Sequence, residues 1–358
     1  MNNKDAIMNR FLQLHLLTSY PPSNLNRDDL GRPKTAIMGG ETRLRISSQS
    51  LKRAWRTSDA FAEALQGHVG TRTKEMGNRV LAQLIEAGVK EEHAREWARS
   101  IASQFGKLKK QKDDGTEEAL HIEQLAHFGP DEAAAINDLC KAMAERQNGP
   151  EDEELKLLRG QQQAADIALF GRMLAANPSF NVEAAAQVAH AITVHKVAVE
   201  DDFFTAVDDL NTGEEDMGAG HMGETEFGAG LFYLYVCIDR ELLIKNIQGD
   251  RELAKKILAA LVESAATVSP TGKQNSFASR ARASYVLAET GNQQPRSLSV
   301  AFLESVRSTA MLKDAIKRLT DARDKMDQVY GPCAENRREL NAYSGEGSLA
   351  DVIACATE

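Results

Sequence analysis

The chain has no apolar run long enough to cross a bilayer. Its best, Leu231 to Ile238, falls far short of the roughly 20 residues a spanning helix needs. The first ten residues, MNNKDAIMNR, lack the apolar core of a secretion signal. A cytoplasmic protein with no membrane partner is expected. Cysteine is scarce too. Cys140, Cys237, Cys333 and Cys355 stand far apart with no CxxC pair, which excludes a disulfide framework and a zinc site and leaves them as reduced packing residues. No metal or cofactor is implied. Positive charge is also in deficit, with 43 Lys and Arg against 52 Asp and Glu, a net charge of −9. That excludes a general nucleic-acid coat, so any such binding has to be local and oriented. What is present is a 42% hydrophobic composition over 358 residues, enough for a real core in two compact domains or in one with large insertions.

Against this acidic background one basic block stands out. From Arg27 to Arg56 there are eight Lys or Arg (27, 32, 34, 43, 45, 52, 53 and 56) and three acids (28, 29 and 41). Such a block calls for an anionic partner. Arg43-Leu44-Arg45-Ile46 alternates charged and apolar residues as a short half-buried strand does. Ser47-Ser48-Gln49-Ser50 then supplies capping hydroxyls, and Leu51 to Arg56 continues as helix. Ser48, Lys52 and Arg56 share one helix face, while Leu51 and Trp55 mark the adjacent, buried one. A capped helix start offers free backbone N–H groups and the positive end of its dipole, where a phosphate can dock. The plainer reading is a solvated cationic face behind an ordinary cap.

In chain order, Phe11 to Leu17 reads as a central strand ended by Pro21-Pro22. The loop Asn24 to Lys34 follows. Residues 61 to 159 read as helical, with Val80-Leu81, Leu84-Ile85 and Trp97, Ile101 at helical spacing, interrupted by Lys107 to Glu118 and by Asn148-Gly149-Pro150. The lysines at 107, 109, 110 and 112 read as a solvated loop, with a nucleic-acid role as the alternative. Val188 to His195 is ambiguous, because its alanines favour helix and Ile192-Thr193-Val194 favours strand. Leu231 to Ile238 is an aromatic-rich strand, Arg251 to Ala266 an amphipathic helix and Ser284 to Ala288 a short strand. Helices from about Leu303 to Met326 lead to a polar tail. Gly272-Lys273-Gln274-Asn275-Ser276 is a second polar loop of phosphate-binding type, with Lys273 as its cation.

Residues 200 to 226 hold ten acids, no Lys or Arg, and many glycines. Phe203 and Phe204 stand there without an apolar periodicity to bury them. Exposed aromatics on a Gly-rich hairpin can wedge between bases, whereas the alternative is a small cluster under the loop. The carboxylates repel phosphate and suit a basic surface, such as that of a neighbouring subunit.

Strand 8–18, helix 48–65, strand 185–198, strand 229–239, helix 249–268 and strand 283–289 give the βαββαβ order of a ferredoxin-like or RRM-type sheet. A helical insertion precedes the second strand, and the acidic hairpin is an enlarged turn between the second and third. The expected class is α+β.

Six collinear segments then carry a resemblance. They are Asn26-Arg27-Asp28-Asp29, the run Arg45 to Ala54 (RISSQSLKRA), Asp166-Ile167-Ala168-Leu169 with Gly171-Arg172-Met173, Ala189 to Thr193 (AHAIT), Phe204 to Leu210 (FTAVDDL), and Gly272-Lys273-Gln274. Over nearly the whole chain they resemble the CasC (Cse-type) backbone subunit of the type I-E CRISPR Cascade complex. The resemblance implies a right-hand-shaped protein. An RRM-like palm (1–65, 160–198 and 229–358) would carry inserted helical fingers (66–159) and a β-hairpin thumb (199–228). Several copies would line one CRISPR RNA beside other Cascade subunits in antiviral defence, each thumb flipping out a base at regular intervals. Target DNA would be reached through guide pairing. By motif position Arg27, Lys34, Ser47, Gln49, Lys52, Arg53 and Arg56 would hold the RNA backbone, with Lys273 in the second loop. Met173 and the Phe203/Phe204 pair would wedge the kinked nucleotide, with Thr205 beside them. Phosphate-directed cations without base-edge readers suit a scaffold that must accept any guide sequence.

The competing class is a metal-dependent ribonuclease. Backbone subunits of related effectors cut RNA with an aspartate near the first strand, and Asp28-Asp29 occupy a similar loop. Two adjacent carboxylates could hold one Mg²⁺, but a nuclease needs further converging ligands. Arg27 and Arg32 nearby favour salt-bridged, structural aspartates. His190 and His195, five apart, do not share a metal. His15 reads as a core or sheet-surface histidine, and Ser47, Ser48 and Ser50 lack a base partner. The sequence reading is therefore a non-enzymatic RNA-binding scaffold.

Overall fold

The computed structural model describes residues 8–109, 120–206 and 221–358. Lys110, Lys112 and the tip of the acidic hairpin, with Asp208, Asp209 and Glu214 to Asp216, lie outside the described residues. The fold is α+β, and the chain divides into two compact units. One holds residues 1–61, 188–237 and 258–358, the other 62–187 and 238–257.

The first unit is built on a sheet. Its strand order is Asn336–Asn341, Ala283–Gly291, Phe11–Ser23, His221–Asp239, Ala191–Thr193, Glu41–Ile46, Thr35–Met38. The four strands anticipated from the sequence are its middle, in the order fourth, first, third, second. Phe11–Ser23 pairs antiparallel with Ala283–Gly291 from Phe11↔Gly291 to Thr18↔Ala283. Leu12, Leu14 and Leu16 on one face and Gln13, His15 and Leu17 on the other are all buried. A strand covered on both sides reads as a near-continuous apolar run.

The face carrying His15 is closed by the C-terminal part of the chain. Tyr233, Tyr285 and Leu287 pack with Leu298, Phe302, Val306, Ala315 and Leu319, the last two on helix Met311–Tyr330. Tyr233 and Tyr285 of this sheet are thus core residues. A polar network is sealed in with them. Buried Glu289 accepts hydrogen bonds from Arg296 and Arg337 and lies 3.3 Å from His15 Nε2. His15 Nδ1 is 2.9 Å from Tyr233 Oη. Burial pulls His15 below its ordinary value, although Glu289 opposes this. Burial would raise Glu289, but the adjacent His15 ring and the Arg296 guanidinium outweigh it and hold the carboxyl well below the usual range.

Several expected elements are corrected. The helix expected over 48–65 is two, Ser48–Arg56 and Asp59–Ala64, because Ser58 Oγ accepts the Phe61 N–H at 3.2 Å and starts a new turn. The strand expected over 185–198 is two short ones, Ala186–Val188 and Ala191–Thr193. The helical stretch expected from Leu303 begins only at Met311 and runs to Tyr330. The polar tail then forms the edge strand Asn336–Asn341 and the helix Leu349–Thr357, which Ser348 caps. NRRELN has little intrinsic strand preference; it is held by backbone pairing and by the Tyr285 Oη bond to Glu339 at 2.8 Å.

In the second unit, helices Met76–Glu86, Glu91–Phe105 and Pro130–Arg146 bury Val80, Leu84, Trp97, Ile101, Ile136 and Met143 in one cluster. The all-helical expectation for this region is corrected by a two-stranded sheet, Thr71–Thr73 with Ala126–Phe128. Residues 160–187 belong to the same unit. Arg172 Nη1 lies 2.8 Å from Glu132 Oε2, both side chains fully buried. Glu132 also accepts the Gly129 N–H at 3.0 Å, and Arg172 Nη2 donates to the Phe180 carbonyl at 3.0 Å. All four cysteines are buried and unpaired, and among the described residues no helix is long and apolar enough to cross a membrane.

Candidate nucleic-acid interface

Helix Ser48–Arg56 is the frame of the site. Ser47 is its cap, with Oγ accepting the Ser50 N–H at 3.3 Å, and its own N–H donates to Asn26 Oδ1 at 2.8 Å. Ser47 and Ser48 are therefore buried, together with Leu51 and Trp55. Gln49 and Arg53 are exposed, and Lys52 and Arg56 half-exposed. Partial burial lowers the Lys52 ammonium from its ordinary value.

The preceding loop is closed by its own hydrogen bonds. Asp28 Oδ1 accepts the N–H groups of Leu30 and Arg32, each at 2.9 Å, while Arg32 Nε lies 3.4 Å from Oδ2. These bonds, the Arg32 backbone N–H foremost, hold the Asp28 carboxyl below its usual value. Its role is to close its own turn, which Gly31 completes at φ +84. Exposed Arg27 stands at the entry of this turn. A Cβ on Gly272 would overlap the Leu25 carbonyl, so the second polar loop lies directly on the first. Arg27, Ser50, Arg53, Thr57, Thr271 and Gly272 are among the residues lining an open cavity of about 390 Å³ between the two loops and the helix. Lys273, at φ +46, donates from Nζ to Thr225 Oγ1 at 2.8 Å, and Asn24 Nδ2 donates to the Glu226 carbonyl at 2.9 Å. Both loops are thereby fastened to the base of the acidic hairpin.

On the other side of the helix the two strand arginines part company. Arg43 is fully buried and donates to the carbonyls of Thr193 and Phe302 at 3.1 and 3.2 Å. It is a structural cation, so the surface block is smaller than the sequence count. Arg45 stays half-exposed, its Nη1 3.2 Å from His190 Nδ1, which also accepts the Ser48 N–H at 3.3 Å. Lys34 joins them through its carbonyl, which takes the Arg45 N–H at 2.8 Å. Among the described residues Arg27, Lys34, Arg45 and Arg53 have no carboxylate partner. Some burial first, then Arg45, Lys34 and Lys52, lower the His190 imidazole below its ordinary value.

The acidic segment is a hairpin in which Glu200–Ala206 pairs with His221–Asp239 from Glu200↔Phe227 to Ala206↔His221. Phe203 and Phe204 point to opposite faces. Phe203 is 65% exposed and Phe204 43%; the second is less so because its ring lies across Gly223, where a Cβ would overlap it. Neither forms a buried cluster under the loop. Thr205 is exposed beside them. Five acids (Glu200, Asp201, Asp202, Glu224 and Glu226) flank the pair in the described part of the hairpin. Met173, in the second unit, is 77% exposed immediately after buried Arg172. It rims an open cavity of about 270 Å³ with Leu125 and Lys107.

Of the sequence-predicted residues, Arg27, Lys34, Ser47, Gln49, Lys52, Arg53, Arg56, Phe203, Phe204, Thr205 and Lys273 fall in the first unit, around one helix, two loops and one hairpin. Ser47 and Lys273 are occupied as cap and hairpin brace. Sequence reasoning missed Arg45 and His190 as site residues. Their juxtaposition depends on the register Arg45↔Ile192 and Ile46↔Ala191, which no local pattern displays.

No curated protein sequence matches this chain. Among solved structures, a chain of "CRISPR RNA-guided surveillance complex, pre-nicking" is 30% identical, covers 97% of this chain and 100% of its own length, and superposes with a TM-score of 0.83. A chain of another "CRISPR RNA-guided surveillance complex" is 25% identical, with 97% and 99% covered and a TM-score of 0.73. The family model described as CT1975-like protein matches residues 12–353. That span takes in both compact units, the basic helix and the hairpin, and on it the chain belongs to the CT1975-like protein family.

Proposed function

We propose that this chain is a non-catalytic, RNA-binding backbone subunit of a CRISPR RNA-guided surveillance complex, with several copies lining one guide RNA. The observation that carries the reading is the convergence of Arg27, Lys34, Arg45 and Arg53, none held by a carboxylate, around one capped helix on a chain of net charge −9. Cations left unpaired on an acidic protein suit a polyanion that supplies the missing charge. The likeness to chains of CRISPR RNA-guided surveillance complexes over 97% of the sequence supports the same reading.

The palm is RRM-like in this proposal, but Tyr233 and Tyr285 of its sheet are core residues, so the RNA runs along the helix and the two loops and not across that face of the sheet. Arg and Lys grip phosphates and leave the bases free to pair with target DNA. Phe203, Phe204 and Met173 supply the sequence-tolerant wedges that kink the guide. Base stacking on an aromatic is worth about 1–3 kcal/mol whatever the base. The hairpin acids meet the basic surface of the next copy. Asp28, committed to the N–H groups of its own turn, acts as a loop brace and not as a metal ligand.

The test is affinity for guide RNAs of unrelated sequence. Dissociation constants within a few-fold of one another fit a backbone reader. A strong preference for one sequence, or no RNA binding at all, contradicts it.

A further inference from the structure

His190 lies where several donors meet. Its Nδ1 accepts both the Ser48 backbone N–H and Arg45 Nη1, at 3.3 and 3.2 Å. A ring nitrogen that accepts carries no proton, so in the neutral imidazole the proton sits on Nε2. The charged groups acting on the ring are Arg45 on the adjacent strand, Lys34 on the loop and Lys52 on the helix, all cationic. They oppose a second proton, and the ring is exposed. It therefore presents one uncharged N–H from a ring held against Arg45, on a surface where Lys34 and Lys52 also act on it.

We propose that His190 Nε2–H is a neutral hydrogen-bond donor to an RNA phosphate seated among Lys34, Arg45 and Lys52. The inference rests on the RNA-binding reading and gives a role to a histidine that lies within the matched segment Ala189 to Thr193 but to which the resemblance assigns none. A neutral donor gives the seat direction without adding to the repulsion among its cations. The competing role is purely structural, in which His190 only satisfies the Ser48 N–H at the start of the helix.

Two substitutions separate the roles. Asparagine places an acceptor near Nδ1 but nothing at Nε2, while glutamine places an amide N–H near Nε2 but no acceptor at Nδ1. Single-stranded guide RNA is titrated against the wild type, His190→Asn, His190→Gln and Lys52→Ala over a range of salt concentrations. We expect His190→Asn to bind about tenfold more weakly with an unchanged salt slope, and His190→Gln to recover most of the loss. Lys52→Ala should lose about 0.7 of a slope unit, as removal of a charged contact to a single strand does. The inference is overturned if His190→Asn binds as the wild type does, if glutamine fails where asparagine succeeds, or if His190→Asn flattens the slope, since that marks a charged contact. A wild type that binds no RNA overturns the underlying reading instead, and is told apart by that control.

Discussion

Replacing Lys52 and Arg53 together with alanine probes the interface at its centre. Adjacent on one helix, the two side chains serve different sides: Lys52 acts on His190 together with Lys34 and Arg45, whereas Arg53 lines the cavity shared with Arg27 and Gly272. An RNA strand crossing this helix therefore meets them through two different phosphates. For a single strand, log K falls with log salt by about 0.7 per neutralised phosphate, so the double variant should lose about 1.4 units of slope. Over a fourfold rise in salt, from roughly 50 to 200 mM, the wild type should then lose about sevenfold more affinity than the variant. The variant binds more weakly throughout, and the gap narrows as salt rises. The fold should tolerate the change, because Leu51 and Trp55 carry the buried face and Ser47 the cap; surface substitutions of this kind stay within about 0.5 kcal/mol. Fluorescence anisotropy with labelled guide RNA at four salt concentrations reads the slope, and thermal unfolding reads the fold. A slope equal to the wild type's refutes the assignment of both side chains as phosphate contacts.

Phe203→Ala should weaken RNA binding by about 1–3 kcal/mol in the same anisotropy assay and leave the thermal midpoint unchanged, since the ring is mostly exposed; a large drop in the midpoint would show that it is a packing residue. Arg172→Met leaves Glu132 buried without its cation and should cost about 3–5 kcal/mol in denaturant unfolding. Adding Glu132→Gln should restore part of it, and a small loss in the single variant contradicts the buried-pair account. Stability should also fall on acidification. His15 and Glu289 are both held below their ordinary values of 6.5 and 4.5, so the unfolded chain binds more protons than the native one and stability rises with pH. The contribution is complete above about 6.5, begins to be lost as pH drops through that value, and falls further below about 4.5. Urea unfolding at three pH values checks this, and higher stability in acid contradicts it.

What could be seen in the sequence was local. The helix Ser48–Arg56 announced itself through its serines and through Leu51 and Trp55 at helical spacing, because caps and periodicity act within a turn or two. The exposure of Phe203 and Phe204 followed from the absence of any apolar partner pattern around them. Non-local facts were hidden. Arg43 and Arg45 occupy equivalent positions in an alternating strand, yet only Arg43 is roofed over, by carbonyls about 150 and 260 residues away in sequence. The edge strand Asn336–Asn341 carries no side-chain preference for its state, since its pairing is a property of the backbone. His190 looked unpromising as a metal ligand beside His195, and its place next to Arg45 arises only from the sheet register.

The central claim is that many copies of this chain coat one guide without cutting it. The most direct measurement is to purify the protein with a CRISPR RNA, in Mg²⁺ and again in chelator, and to read particle mass and RNA length together. The account predicts a particle holding several copies on intact RNA under both conditions. A monomer that shortens the RNA only when Mg²⁺ is present would contradict it and would return Asp28 and Asp29 to the centre of the site.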